Sequence, residues 1–525
     1  IATLQPLEGV RLPERHQFLT LRPSLTWRTA RSRDGAGPVQ RSSGFDASLD
    51  LKWRPLHELV VDATLNPDFS QVALDEPQLA GNTRFALFLP EKRPFFFESS
   101  DLLRTPTEAL YTRSLTQPRW GLRSTWRGTR LAGTAMAVDD RGGGLVLLPQ
   151  TYFTDVAAQP ASRTVLARLQ AQGGAGVQWG GMAALRRYEN AGHNQVAGPD
   201  LAWQIDGAWR ARLQWLQSDT TAQPGPAPGG GQQLVDGATT RGHLAHARIF
   251  YQGDRREGDV TLEDVGEGFR DDTGFIAQAG VRRVKGRVGL GWGNVGPFNE
   301  FWVNLEGERV TDRATGAVVL QDWHPGIWLT GAHNLEAWAN FHGLARGTAA
   351  MRPAAGSPLQ QQRYLDAGLV VTPAPWAPLL EADLKLGRLA DVGGSVPLPG
   401  GQLQLSLNTR LLPRLELEPR IGYGWLRQGG RAVYAESAHQ LLARWHFSAS
   451  QSLRAIVRYT ATERAGTTLD QATTGSLTWA WRRSAGTVLY LGAARSRSGL
   501  APGVQRGNEA FVKLQVDTDE LRNLW

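Results

Sequence analysis

Residues 414 to 425 limit what this chain can become more than any other stretch. There Leu415, Leu417, Pro419, Ile421, Tyr423 and Trp425 alternate one by one with Arg414, Glu416, Glu418, Arg420, Gly422 and Gly424. Successive side chains of an extended strand point to opposite faces. One face is therefore apolar and ends in aromatics, and the other is polar and charged. The pattern recurs. Ala47, Leu49, Leu51 and Trp53 oppose Asp46, Ser48, Asp50 and Lys52, and Trp209, Ala211, Leu213 and Trp215 oppose Arg210, Arg212 and Gln214. Phe301, Val303 and Leu305 oppose Asn304, Glu306 and Glu308, and Leu453, Ala455, Val457 and Tyr459 oppose Ser452, Arg454 and Arg458. The fold class is all-β.

A large soluble β-protein would alternate in the same way. Three details favour a transmembrane antiparallel β-barrel. The strands reach the length of a tilted span. Their apolar faces often end in Trp or Tyr, as in an interfacial girdle. Short connections (Arg54 to His57, Leu411 to Pro413, Phe447 to Ser450, Arg483 to Gly486) alternate with long ones (Asp139 to Ser162, Thr221 to Asp236, Arg346 to Gln360), the asymmetry of outer-membrane barrels. No apolar run approaches the roughly 20 residues of a membrane helix. No signal peptide is legible at Ile1, which suggests a processed or trimmed chain. The absence of cysteine fits an exported bacterial protein. A net charge of +8, spread along strands, gives no basic block for nucleic acid, which is not an expected partner.

Residues 1–525 read as a single barrel domain of about 24 strands, within a range of about 22 to 26, an even number being expected. With the short turns in the periplasm, both termini lie there and the long loops are extracellular. The last strand, Glu509 to Val516, runs on into Asp517-Thr518-Asp519-Glu520, so either the barrel closes earlier or a polar tail hangs into the periplasm.

One segment breaks the alternation. After the third strand, residues 66–105 read as an internal plug or constriction. Pro90-Glu91-Lys92-Arg93-Pro94 packs three charges between two prolines, and Phe95-Phe96-Phe97-Glu98 follows. Prolines on both sides disfavour a regular helix or a central strand. Irregular backbone is tolerated at membrane depth only inside protein or facing a water-filled cavity, and a barrel this large cannot fill itself with its own side chains. The candidate plug residues are Asn66, Asp68, Phe69, Gln71, Asp75, Asn82, Phe85, Pro90, Glu91, Lys92, Arg93, Pro94, Phe95, Phe96, Phe97 and Glu98. The carboxylates of Asp68, Asp75, Glu76, Glu91 and Glu98 are expected to pair with wall arginines, and the three phenylalanines to form an apolar nucleus.

NPDFSQV at 66–72, NTRF at Asn82–Phe85 and LPEKRPFFFE at Leu89–Glu98 resemble an uncharacterised family of bacterial outer-membrane barrels. The Asp139-Asp140-Arg141-Gly142-Gly143-Gly144 turn and the stretch Gly268 to Phe275 also fit. The resemblance implies a barrel over nearly the whole chain. Members usually carry an N-terminal domain similar to family-nine carbohydrate-binding modules; these 525 residues do not include it, so its glycan site is not placed here. Ala73 stands where the family more often has an acid, and Gln515–Trp525 is less aromatic than the family's final strand.

Enzyme chemistry is not expected. The histidines form no HExxH, and His243 and His246, three apart, face opposite sides of a strand; no metal ligand set and no cofactor are assigned. Glu306/Glu308 and Glu416/Glu418 share strand faces, as a hydrolytic pair would, but pairing with neighbouring arginines in a hydrated lumen is the preferred reading. The Asp139-Asp140 and Asp271-Asp272 doublets read as solvated turns rather than calcium loops. Lumen candidates are Trp302, Glu306, Trp338, Arg414, Glu416, Glu418 and Arg420. Trp302 and Trp338 fall on the polar face, where they suit either sugar stacking or packing against the plug. Expected partners are outer-membrane lipid and lipopolysaccharide, a glycan, and periplasmic or surface proteins. The leading expectation is a plugged channel for a polar solute or polymer, carbohydrate being the class favoured. The alternative is a non-conducting anchor or scaffold that docks partner proteins.

Overall fold

The computed structural model describes residues 18–69, 75–228, 230–348, 358–394, 396–484, 486–500 and 503–519. Among these residues one sheet contains 28 strands. Two small hairpins add to the wall without being spans of it: Leu145–Pro149 with Thr154–Ala158, which touches the wall where Ala158 stands opposite Gln233, and Arg346–Gly347 with Gln360–Gln361, which lies beside Leu320 and Gln321. The remaining 24 strands form a closed antiparallel ring. Its first strand, Phe18–Asp34, pairs with its last, Gln505–Gln515, with Leu25 opposite Leu514 and Thr26 opposite Lys513. Closure leaves no edge strand in the ring. The last strand thus lies slightly earlier than expected, and the barrel does close on it. Beyond it the polar residues turn back onto the first strand: Asp517 pairs with Arg22 at 3.0 Å and Asp519 accepts from Thr20 Oγ1 at 2.7 Å.

The alternation read from the sequence is the alternation of the wall. Leu49, Trp53, Trp209, Leu213, Trp215, Leu305, Ile421, Tyr423 and Val457 are exposed on the outside, while their neighbours Asp50, Lys52, Glu306 and Arg420 make polar contacts on the other face. An apolar outer belt around a polar interior is the arrangement a bilayer requires of a barrel. No helix among the described residues is long and apolar enough to cross a membrane.

Connections at one end of the ring are short, as at 55–58, 128–130, 205–208, 413–414 and 447–450, and several at the other end are long: 66–117, 141–161, 266–280 and 343–362. The Pro/Gly-rich run from Thr221 to Asp236 is not a long loop. It continues the strands Trp209–Pro226 and Gln232–Gln252 as a ribbon turning at 227–231. The neighbouring strand on the other side stops pairing at Thr220. Pro224 and Pro226 therefore sit on an unpaired edge, where a missing N–H costs nothing.

The aspartate doublets are not solvated turns. Asp140 is fully enclosed and accepts from the Thr116 and Gln117 N–H groups at 2.9 and 2.7 Å and from Gln159 Nε2 at 2.7 Å. Asp272, also buried, accepts from Arg270 at 2.6 and 2.8 Å and from Tyr188 Oη at 2.7 Å. The long connections fold against one another and withdraw these carboxylates from water, so each must be satisfied by backbone donors or guanidinium groups.

Candidate functional site

Residues 66–117 join the strands Leu59–Leu65 and Pro118–Arg127. At the entry Asn66 adopts a left-handed conformation, φ 46°, which asparagine tolerates better than most residues. Its side chain donates to Ala47 O at 3.0 Å and accepts from Arg141 at 2.7 Å. Asp68 accepts from Thr26 Oγ1 at 2.6 Å, and its carboxylate lies 3.2 Å from Arg28 and 3.5 Å from Lys513. Gln71 and Ala73 lie outside the described residues.

The charged, proline-bounded motif is a knot that closes on itself. Arg93, 5% exposed, donates to Glu91, to Leu115 O at 2.5 Å and to Thr112 O at 2.8 Å, with its guanidinium over the Phe96 ring at 4.2 Å. Glu91 also accepts from Thr112 Oγ1 at 2.8 Å and from the Arg93 N–H at 2.9 Å. Burial raises the Glu91 carboxyl, but the hydrogen bonds and charge of Arg93 outweigh it and hold the group below the usual range. Where a regular helix was not expected, Pro94–Phe97 forms one helical turn. Proline fits that first position because its missing N–H would be unpaired there anyway. Phe96 is fully enclosed among Leu103, Leu115, Met136 and Leu166, and Phe95 meets it edge-on at 5.1 Å. Phe97 is 60% exposed, so two of the three phenylalanines, not all three, form the nucleus. Phe95 also lies over Gly121, where an added Cβ would fall 2.8 Å from its ring.

From this nucleus the segment reaches wall strands and connections far apart in sequence. Glu98 pairs with Lys52 and lies 3.6 Å from Arg123; Glu76 pairs with Arg420. The Ala80 and Gly81 N–H groups donate to Glu436 at 2.8 and 2.9 Å. Asn82 donates to Ala390 O at 2.8 Å and accepts from the Val392 N–H at 2.9 Å. Arg84, beside the Phe85 ring, donates to Thr348 at 2.6 Å, and Thr107 Oγ1 to Gln214 at 2.8 Å. Wall cations thus meet Asp68, Glu76 and Glu98 as expected. The Asp75 and Glu91 carboxylates pair instead within the segment, Asp75 with Arg113 and with Lys92 at 3.9 Å and Glu91 with Arg93, while wall Arg458 donates to the Asp75 carbonyl at 3.1 Å. Pro90 is exposed. Pro67, Asp68 and Phe69 border two cavities, of about 720 and 490 Å³, lined by charged residues including Arg28, Arg454 and Glu509 in one and Lys52, Glu98 and Arg123 in the other.

The wall candidates divide. Glu306 pairs with Lys285 at 2.7 Å and Glu416 with Arg444 at 2.8 Å, so neither is a free acid. Glu418 is half-buried in the strand Leu415–Gln428. Arg414 belongs to the two-residue turn before that strand and is exposed, so it is not a lumen residue; its alternation with Leu415 ends where the chain reverses. Trp302 and Trp338 are joined by a residue sequence reasoning missed. Trp328 stands opposite Trp302 on one side and Trp338 on the other. The row runs between Gly291 and Gly368, the positions paired with its two ends. Trp328 Nε1 donates to Glu336 at 2.8 Å. The same part of the wall gathers Asp322, His324 and His342, whose ligand atoms lie within 4.8 Å of one another. Asp322 and His324 share a face by their two-residue spacing, but only strand pairing brings His342 to them.

A family model described as a domain of unknown function, DUF5916, matches residues 19–120, which include the knot. No curated protein matches the chain in sequence. Among solved structures, the ferric enterobactin receptor PfeA of Pseudomonas aeruginosa is 9% identical, with a TM-score of 0.45 over 95% of this chain and 81% of that one. The ferric-catecholate import receptor Fiu of E. coli K12 is 9% identical, with a TM-score of 0.43 over 96% and 82%. Pseudomonas aeruginosa OpdQ is 7% identical, with a TM-score of 0.29 over 95% and 97%. The barrel itself follows from strand register and closure, independently of these likenesses.

Proposed function

We propose that this protein is an outer-membrane channel, its lumen narrowed by residues 66–117, that passes a polar solute of the carbohydrate class. The short turns face the periplasm and the long connections the exterior. The carrying observation is the reach of the segment: its bonds to Lys52, Gln214, Arg420 and Glu436 fall on four strands distributed around the ring, and those to Thr348 and Ala390 on two further connections. A segment that touches so many parts of one closed wall occupies the space the wall encloses. The inward row Trp302, Trp328, Trp338 supports the solute class. Aromatic faces beside Glu336, Asn304 and Asn340 offer stacking together with hydrogen bonding, the combination a sugar ring uses.

Conductance in planar bilayers tests the channel. Deleting residues 73–100 should raise single-channel conductance in a barrel that still inserts, and equal conductance with and without the deletion would sink the proposal. A second reading, a non-conducting scaffold, is favoured by the Arg93 knot, which ties Glu91, Thr112 and Leu115 of the segment to one another and so stiffens it. Stable co-purifying subunits together with zero conductance in both proteins would select that reading.

A further inference from the structure

We propose that Asp322, His324 and His342 form a binding site for a divalent transition-metal ion on the inner wall of the barrel. Asp322 and His324 lie on the strand Val318–Gly331, on the face opposite exposed Trp323 and Ile327, and His342 ends the adjacent strand Leu335–His342. Asp322 Oδ2 is 2.6 Å from His342 Nδ1 and 3.4 Å from His324 Nδ1. The two imidazole rings are 3.9 Å apart, and Tyr364 stacks on His342 at 4.3 Å and 11°, fixing the plane of that ring.

Two features separate this cluster from an ordinary hydrogen-bonded pair. Asp322 and His342 are 9% and 7% exposed, yet Asp322 Oδ1 is buried without a hydrogen-bond partner and buried His324 Nδ1 has the 3.4 Å approach to Asp322 Oδ2 but no aligned hydrogen bond. Buried polar atoms are rarely left so. The second feature is charge. On the neighbouring strand Glu306 has Lys285 at 2.7 Å and Glu308 has Arg283 at 2.8 Å. Among the described residues Asp322 has only the two imidazoles, which carry no charge in the form that ligates metal. A divalent ion supplies the missing positive charge and takes up both orphaned atoms.

The donor set decides the class of ion. Two imidazole nitrogens and one carboxylate oxygen suit zinc, copper or nickel, whereas calcium and magnesium prefer oxygen alone. The three ligand atoms already lie within 4.8 Å of one another, near the spacing of ligands around an ion bound at roughly 2.0–2.2 Å. Three protein ligands leave a fourth position open for water or an exchanging ligand.

The test uses the full-length barrel purified in detergent without a polyhistidine tag, stripped with chelator and titrated with Zn²⁺ and, separately, Mg²⁺ by calorimetry. One saturable Zn²⁺ site per chain is expected, with no Mg²⁺ counterpart and with affinity falling as pH drops through the imidazole range. His324→Ala and His342→Ala should each weaken Zn²⁺ binding by about tenfold or more, while His57→Ala, in a turn remote from the cluster, should not. Co²⁺ titration of the unaltered protein gives a reading that needs no variant: four-coordinate Co²⁺ in the site shows intense visible d–d bands that the weakly absorbing hexaaqua ion lacks. Absence of a saturable Zn²⁺ site, absence of Co²⁺ bands, or equal Zn²⁺ affinity in a folded His324→Ala/His342→Ala double variant would overturn the proposal.

Discussion

Lys513, on the strand that closes the barrel, donates its ammonium to Asp68 O at 2.8 Å and lies 3.5 Å from the Asp68 carboxylate, with both side chains buried. Residues 445 positions apart thus meet where the inserted segment begins, so the closing strand also holds the start of the segment. Lys513→Met should weaken that docking by about 1–3 kcal/mol, less than the loss of an isolated buried pair because Arg28 and Thr26 still serve Asp68. Hydrogen exchange is the measurement: amides after Asp68 should exchange faster while strand amides opposite the site stay protected.

Phe96 and Phe97 are sequence neighbours with opposite fates. Phe96→Ala empties an enclosed site and should cost about 3–5 kcal/mol. Phe97→Ala, at a mostly exposed site, should stay within about 0.5 kcal/mol. Paired denaturant unfolding curves in one detergent check the difference, and equal losses would contradict the packing described.

Asp271 gives the long connections a pH dependence. Burial pushes its carboxyl up to about 7, although Thr273 donates to it from N–H and Oγ1 at 3.0 and 2.9 Å. The folded state therefore holds this proton more tightly than the unfolded state. Its stabilising effect is complete below the ordinary carboxylate pKa and is lost as pH rises toward and through 7. Protection of amides in 266–280 should be greater at pH 5 than at pH 8, by an energy on the order of a few kcal/mol. Asp271→Asn should flatten the profile.

The tryptophan row makes a claim about residence time. With maltohexaose as probe, transient current blocks should shorten by about tenfold in Trp328→Ala, equivalent to about 1.4 kcal/mol of binding. Trp215→Ala, on the outer surface, should leave them unchanged. Identical block lengths in all three proteins would remove the row from the solute path.

The wall is legible in the sequence alone. Period-two patterning assigned Trp53, Leu305 and Tyr423 outward and Lys52, Glu306 and Arg420 inward, and it led to about 24 strands, because each strand needs only its own side chains to divide between lipid and water. The PEKRPFFFE motif was legible as enclosed irregular backbone for a similar reason: its charges and prolines suit neither lipid nor a central strand. What each of its groups would meet was another matter. Nothing in the sequence says that Glu91 turns to Arg93 rather than to the wall, that Phe97 points away, or that Asp140 and Asp272 are buried by other loops. Nor does it say that Trp328 completes a row, or that His342 reaches Asp322. Those meetings depend on strand register and on how connections hundreds of residues apart fold against one another. Local alternation decided the faces of this barrel; only closure of the ring decided its neighbours.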